Sequence, residues 1–196
     1  QLVTGFYKQK TNDIIACNEC LIQNEESNAV IQRVKELFVE YNIKPYDKVT
    51  HRGNIKHILT KKGYHSEEFM LCFITYQKTI KHIDQIVEIL IQEFPHIKTI
   101  IQNINERHDN VILGDEEKIL YGKGYIYDTL LDNQYKISLK SFYQINPIQV
   151  EKLYQTAIDL AHINQDSVVL DAYCGIGTIT LSLAKHVKKI YGVEVV

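Results

Sequence analysis

Strong charge of either sign is missing from these 196 residues. Twenty-two lysines and arginines stand against 24 aspartates and glutamates, a formal net charge of −2, so the chain as a whole exerts no long-range pull on nucleic acid. Any such contact must come from a local patch or from parts outside these residues. Nor does any apolar run reach the ~18 residues of a membrane-spanning helix. The opening QLVTGFYKQKTND has neither the basic start nor the apolar core of an export signal. Four scattered cysteines make no disulfide framework, and a reducing, cytoplasmic compartment is expected. Internal repeats and low-complexity linkers are absent too. What is present is 45% apolar residues and 13 tyrosines, the composition of a packed globular chain. It begins without methionine and stops at KKIYGVEVV, a strand with no successor. A parallel sheet needs further strands and crossovers, so a fragment of a longer protein, ending inside a domain, is expected.

Periodicity predicts a helix in NEESNAVIQRVKELFVEYN, with Asn24 as cap and Val30, Ile31, Val34, Leu37, Phe38 and Tyr41 in its stripe. HILTKKGYHSEEFMLCFITY reads as two strands around a Gly-containing turn, the second buried. TIKHIDQIVEILIQEFP is a second helix stopped by Pro95, and IKTIIQNIN a strand. Short extended segments follow to residue 138. This irregular alternation predicts an α+β domain over residues 1–138, its core from about residue 10.

A third helix is expected in INPIQVEKLYQTAIDLA, with Asn146 as cap and Pro147 at the first position. Its predicted stripe is Val150, Leu153, Tyr154, Ala157, Ile158 and Ala161. Then come an apolar strand, SVVLDAYC, a glycine loop, a helix, TITLSLAKHV, and a second strand. That order opens a doubly wound parallel sheet, so the fold class is α/β, with residues 139–196 as a truncated cofactor domain. Two strands alone leave open hydrogen-bonding edges and an uncovered face, so the segment from about residue 165 onward is expected to be mobile or paired with another copy.

Gly175 and Gly177 allow a sharp turn and close approach to a ligand. Nineteen residues after Gly175, at the end of the second strand, stands Glu194, where a carboxylate can accept both ribose hydroxyls of an adenosine. A dinucleotide fingerprint would put glycine where Thr180 stands. Asp171, four residues before the first glycine, would repel a pyrophosphate and suits a cationic ligand. S-adenosylmethionine, with a sulfonium and no phosphate, fits better; glycines that merely turn a strand into a helix are the plainer alternative.

LDAYCGIGTITLSLA resembles the cofactor motif of the RNA uracil-C5 methyltransferases, and SFYQINPIQVEKLY is similar to the same family's Phe-aromatic-Gln-x-Asn-Pro run. QNINERHDNVILGDEEKILYG and GFYKQKTNDII are similar to its central domain. The resemblance covers essentially the whole chain and is greatest to the bacterial 23S ribosomal RNA enzymes. It implies a class I, Rossmann-like methyltransferase domain and methyl transfer from S-adenosylmethionine to C5 of a uridine in RNA. It implies cofactor contacts from Gln144, Tyr173, Thr178 and Glu194, beside Asp171, Gly175 and Gly177. Thr178 departs from relatives with Asn there, so hydroxyl and backbone contacts both stay open. Phe142 and Gln144 are implied for the base pocket, although an aromatic before a helix is also a common core residue.

Uracil C5 is a poor nucleophile, and the family's solution is covalent: a thiolate adds to C6, C5 takes the methyl, a base removes the C5 proton and the thiol leaves. The nucleophilic Cys and the general-base Glu are expected beyond Val196, leaving the fragment inactive. Cys174 and Cys72 read as packing residues. Cys17 and Cys20 lack a second pair at zinc spacing. Many family members bind a four-iron cluster, and Cys20, in ECLIQ, matches its fourth ligand; the other three would precede Gln1, and Cys17 does not match. For RNA contact the local candidate is the acid-free stretch 48–66, with Arg52, Lys56, Lys61 and Lys62 facing phosphates and Tyr64 placed to stack. A solvated hairpin is the alternative. No obligate protein partner is implied. A class I methyltransferase acting on another substrate, such as a tRNA uridine, and a non-catalytic RNA-binding module remain the competing readings.

Overall fold

A computed structural model describes residues 2–195. Among these, no helix is long and apolar enough to cross a membrane. They gather into two compact units, one of residues up to 62 with 69–124, the other of residues 63–68 with those from 125 on.

The first unit begins with a small antiparallel pair, β1 (Gly5–Tyr7) and β2 (Ile14–Ala16). Helix α1 (Glu25–Glu40) follows, capped as expected by Asn24, whose side chain accepts from the Glu26 amide at 2.9 Å. Strands β3 (Ile55–Lys62) and β4 (Phe69–Thr75) form the expected hairpin. Helix α2 (Ile83–Glu93) then carries the chain to β5 (Ile97–Ile104), parallel to β4, and β6 (Glu116–Gly122) closes a sheet of order β3-β4-β5-β6. β-Branched and aromatic side chains in FMLCFIT suit a central strand, and all seven are buried. Phe69, Leu71 and Phe73 meet Val34, Leu37 and Phe38 of α1 and Ile86 and Leu90 of α2 in one core cluster.

The sheet also buries amides. Gln102 donates to the Thr75 hydroxyl at 2.9 Å and to the Gln77 and Lys78 carbonyls at 3.1 Å. Asn103 exchanges bonds with Gly114, at 3.1 and 2.7 Å, and Asn105 donates to the carbonyls of Val111 and Ile112. Asn103 and Asn105 are thus the polar frame on which the loop from 105 to 114 is folded, while Gln102 holds the turn that follows β4.

Burial pushes the Lys61 ammonium on β3 down from its usual 10.5 to about 8. Between those values the unfolded chain binds more protons than the native one, so stability should rise with pH there; below about pH 8 the cost of the buried charge is fully present. Lys61→Met is expected to raise the urea midpoint of this unit at pH 7 and to remove that rise. Parallel pH profiles for variant and wild type would exclude Lys61 as its source.

The second unit contains a hairpin, β7 (Tyr125–Leu130) and β8 (Asn133–Ser138), turned by Leu131 and Asp132, both left-handed. Helix α3 (Pro147–Leu160) has the expected cap, the Asn146 side chain accepting from the Gln149 amide at 3.1 Å. Its buried stripe is narrower than the six residues expected. Only Val150, Tyr154 and Ile158 are buried, while Leu153, Ala157 and Ala161 face outward, because one row at a spacing of four is covered. Strand β9 (Val168–Ala172), helix α4 (Thr178–Ala184) and strand β10 (Lys189–Val193) form the predicted parallel opening. Although β9 is apolar throughout its first three residues, Val168 and Leu170 are each 64% exposed. One face of the pair is uncovered, as the sequence leads one to expect.

Candidate functional site

In the parallel pair Asp171 lies opposite Gly192, and the chain leaves β9 through a loop of unusual backbone. Tyr173 (φ 64°), Gly175 (φ 56°) and Gly177 (φ 83°) are all left-handed. For Tyr173 that conformation is sterically costly, and its side chain is 82% exposed. A Cβ built on Gly175 would meet nothing within 4 Å, and one on Gly177 only Leu181 and Thr180 at 3.9 Å. Crowding within the protein does not call for these glycines. Open space stands over them, of the kind a ligand pressed against the backbone would fill.

Glu194 stands at the mouth of this loop. Its Oε2 accepts from the Gly175 amide at 2.8 Å and its Oε1 from the Val195 amide at 2.7 Å. A carboxylate has about four acceptor positions, so this anchoring is compatible with accepting ribose hydroxyls as well. Asp171 is half-buried, and its Oδ2 accepts from the Thr180 hydroxyl at 2.5 Å; it ties the strand to the first turn of α4. The Thr178 hydroxyl shares a hydrogen bond with Tyr154 at 2.9 Å, and its carbonyl accepts from Tyr135 and Ser182. The side chain expected to meet the cofactor therefore faces α3, which of the two contacts left open disfavours the hydroxyl. Cys174 is half-buried, its Sγ 3.0 Å from where a Cβ on Gly192 would sit. Only glycine there gives the thiol its niche. Cys72 is buried, and burial pushes its thiol up to about 12, which leaves it inert.

Phe142 is 75% exposed, so the core reading of this aromatic does not hold. Half-buried Gln144 lines an open groove of about 440 Å³ with Asn146, Gln149, Lys152 and Leu153. Between them Tyr143, which sequence reasoning passed over, donates its hydroxyl to Asp128 of β7 at 3.2 Å. Asp128 is 1% exposed. Its signal in the sequence is a lone acid in the otherwise uncharged strand YIYDTL.

The basic stretch is tied down more than expected. Lys62 pairs with Glu26 at 2.7 Å in a largely buried contact, and Lys61 is on the half-buried strand. Lys56 donates to the carbonyls of Asn105 and Arg107, at 3.1 and 2.6 Å. Arg52 is exposed. The four were expected to face phosphates together; the fold spends three of them internally. Beside Lys56, Tyr46, Tyr76, His51 and His108 pack their rings together, the Tyr46 hydroxyl lying 2.7 Å from His51 Nδ1 and 3.1 Å from His108 Nδ1. Cys20 is held to α1 through Asn28, which accepts from its amide and donates to its carbonyl. Among the described residues no three His, Cys, Asp or Glu side chains gather as a metal site.

Known proteins resemble the chain over its whole length. It is 44% identical over 195 residues to a protein of Halalkalibacterium halodurans named as an uncharacterised RNA methyltransferase, covering 100% of this chain and 43% of that one. A protein of Oceanobacillus iheyensis with the same description is 41% identical, with the same coverage. The chain thus spans less than half the length of these curated relatives. Among solved structures, the Pyrococcus abyssi tRNA (uracil-54, C5)-methyltransferase in complex with S-adenosyl-L-homocysteine superposes with a TM-score of 0.79 at 25% identity, over 96% of this chain and 45% of that one. Its likeness bears out the mixed α/β class with a Rossmann-like methyltransferase domain. The family model described as tRNA (Uracil-5-)-methyltransferase matches residues 5–196, and the chain belongs to that family.

Proposed function

We propose that this chain is the central part of an S-adenosylmethionine-dependent enzyme that methylates C5 of a uridine in RNA, with 23S ribosomal RNA as substrate and the cytoplasm as its place. The observation that carries the reading is the β9–α4 loop: open space over Gly175 and Gly177 with the Glu194 carboxylate at its mouth. Family membership supports it, as does the bound S-adenosyl-L-homocysteine of the Pyrococcus abyssi relative. In this reading residues 1–138 are the central domain and 139–196 open the cofactor domain.

Bound S-adenosylmethionine supplies a methyl group on an electrophilic sulfonium. Glu194 would hold the ribose by accepting its hydroxyls, and Tyr173 and Gln144 would flank the rest of the ligand. Phe142, exposed before α3, takes the base side. The nucleophilic Cys and the general-base Glu lie outside these residues, so the chain as given transfers no methyl group. Cys20 is the one thiolate it would give to a four-iron cluster, the other three coming from outside; iron analysis and the visible absorbance of anaerobically prepared full-length protein test that.

The test of the reaction is a chain of the relatives' full length, incubated with labelled S-adenosylmethionine and unmodified 23S ribosomal RNA or tRNA. Label at C5 of uridine in the ribosomal RNA is expected. Label confined to tRNA would move the substrate, and label on another base would overturn the reading.

Arg52 gives an electrostatic check. Arg52→Glu should weaken RNA binding and reduce by about 1 the slope of log affinity against log salt. An unchanged slope in titrations at several salt concentrations would remove Arg52 from the interface.

A further inference from the structure

The six residues between β3 and β4 are fastened far more firmly than a hairpin tip requires. The Gly63 amide closes the hairpin by donating to the Glu68 carbonyl at 2.9 Å. Beyond that, the amides of Tyr64, His65 and Ser66 all donate to the Asp128 carboxylate, at 2.9, 2.9 and 3.1 Å. The Ser66 hydroxyl donates to the Tyr127 carbonyl at 2.6 Å, and Glu68 accepts from the Tyr127 amide at 2.7 Å. His65 Nε2 meets Glu151 of α3 at 2.8 Å. Glu67 is left-handed within this short span.

What the strapping presents is an aromatic surface. Tyr64 is 50% exposed and contacts His65 edge-on at 5.0 Å. A mobile loop would lose conformational freedom on meeting a ligand; a fixed one has that cost already met by the fold. The same Asp128 oxygen that accepts from the Tyr64 amide also accepts from the Tyr143 hydroxyl. Burial first, and the neighbouring Asp128 second, push that hydroxyl well above the usual phenol range, so it remains a donor. One buried carboxylate therefore joins the loop to the middle residue of the Phe142–Gln144 segment.

We propose that residues 64–66 form an RNA-contacting wall of the site, Tyr64 stacking on an unpaired nucleotide beside the target uridine, and that Asp128 and Tyr143 are the positioning residues that fix this wall to the Phe142–Gln144 segment. This rests on the reading of RNA as substrate. Stacking on an exposed tyrosine is tolerant of base identity, so the wall holds a flipped-out strand without selecting its sequence, as an enzyme working on an unstacked base requires.

The test uses the full-length enzyme. Tyr64→Ala should raise KM for RNA about tenfold, with kcat falling less than twofold, and Tyr64→Phe should restore it. Tyr143→Phe, which deletes one hydroxyl, should raise KM and also lower kcat, because it loosens the segment that carries Phe142 and Gln144. Circular dichroism and amide-exchange protection of each variant at the assay temperature separate these effects from loss of fold. Single-stranded RNA carrying 5-iodouridine next to the target should cross-link to Tyr64 on irradiation. KM within twofold of wild type in Tyr64→Ala, or cross-links that avoid residues 64–66, would overturn the proposal while methylation by the wild type continues. A wild type that neither binds nor methylates RNA would overturn the substrate reading, and this proposal with it.

Discussion

Phe73→Ala is expected to cost the first unit about 3–5 kcal/mol, since it removes a large side chain from the middle of the central strand and leaves a cavity. Phe73 is fully buried, and its ring lies 5.4 Å from that of Phe38 at 57°, a tilted pair joining β4 to α1; such pairing adds to the burial of area alone. A domain of ordinary stability has about 5–15 kcal/mol in hand, so the variant should populate its unfolded form measurably. Two compact units make a single melting temperature hard to interpret, and amide exchange along β4 and β5 is the better measure. Protection there should fall by a factor of roughly 100 or more, whereas Val49→Ala, at a side chain 74% exposed, should change it little. Protection kept in Phe73→Ala would mean that the core collapses around the gap.

Glu194→Ala should weaken S-adenosylmethionine binding to the full-length enzyme by about 1–3 kcal/mol, because the ribose hydroxyls lose a charged acceptor. The structure adds a second consequence. The Gly175 amide loses the carboxylate that orients it at 2.8 Å, so the loop that lies under the ligand also loosens. Gly175→Ala is the complementary variant. A methyl group there meets nothing within 4 Å, so the fold bears only the left-handed backbone strain, about 1 kcal/mol. The same methyl would occupy the space assigned to the ligand. Calorimetry should therefore show both variants folded and both impaired in cofactor binding. Full affinity in either would place the ribose elsewhere.

Local chemistry was legible in the sequence where one or two neighbouring residues decide the outcome. Asn24 and Asn146 cap the helices they were expected to cap, Pro147 opens α3, and α2 ends just before Pro95. The strand, glycine loop, helix and strand from residue 168 on are likewise set by short-range pattern. Partnerships across the chain were not legible. Lys62 finds Glu26, 36 residues away, and Lys56 finds carbonyls 49 and 51 residues on, so a run that reads as free positive charge becomes internal wiring. The stripe of α3 was overcounted because periodicity names every apolar residue on a face and cannot say how wide its neighbour is. Asp128 escaped notice because a carboxylate's value lies in the amides brought to it, and three of those come from more than 60 residues upstream.

That last distance bears on how the molecule can be dissected. The hairpin tip that serves Asp128 is encoded inside the first unit's stretch of sequence, between β3 and β4, so the second unit has no contiguous gene segment of its own. Cutting the chain at Gly124 would part the carboxylate from the amides of residues 64–66 and leave Tyr143 as its remaining donor, at 3.2 Å. During synthesis the same fact imposes an order, since those amides leave the ribosome some sixty residues before the acid that will hold them. Until Asp128 follows, the tip that carries Tyr64 and His65 has only its own bonds, Gly63 amide to Glu68 carbonyl and Glu68 amide to Ser66 hydroxyl, to hold it.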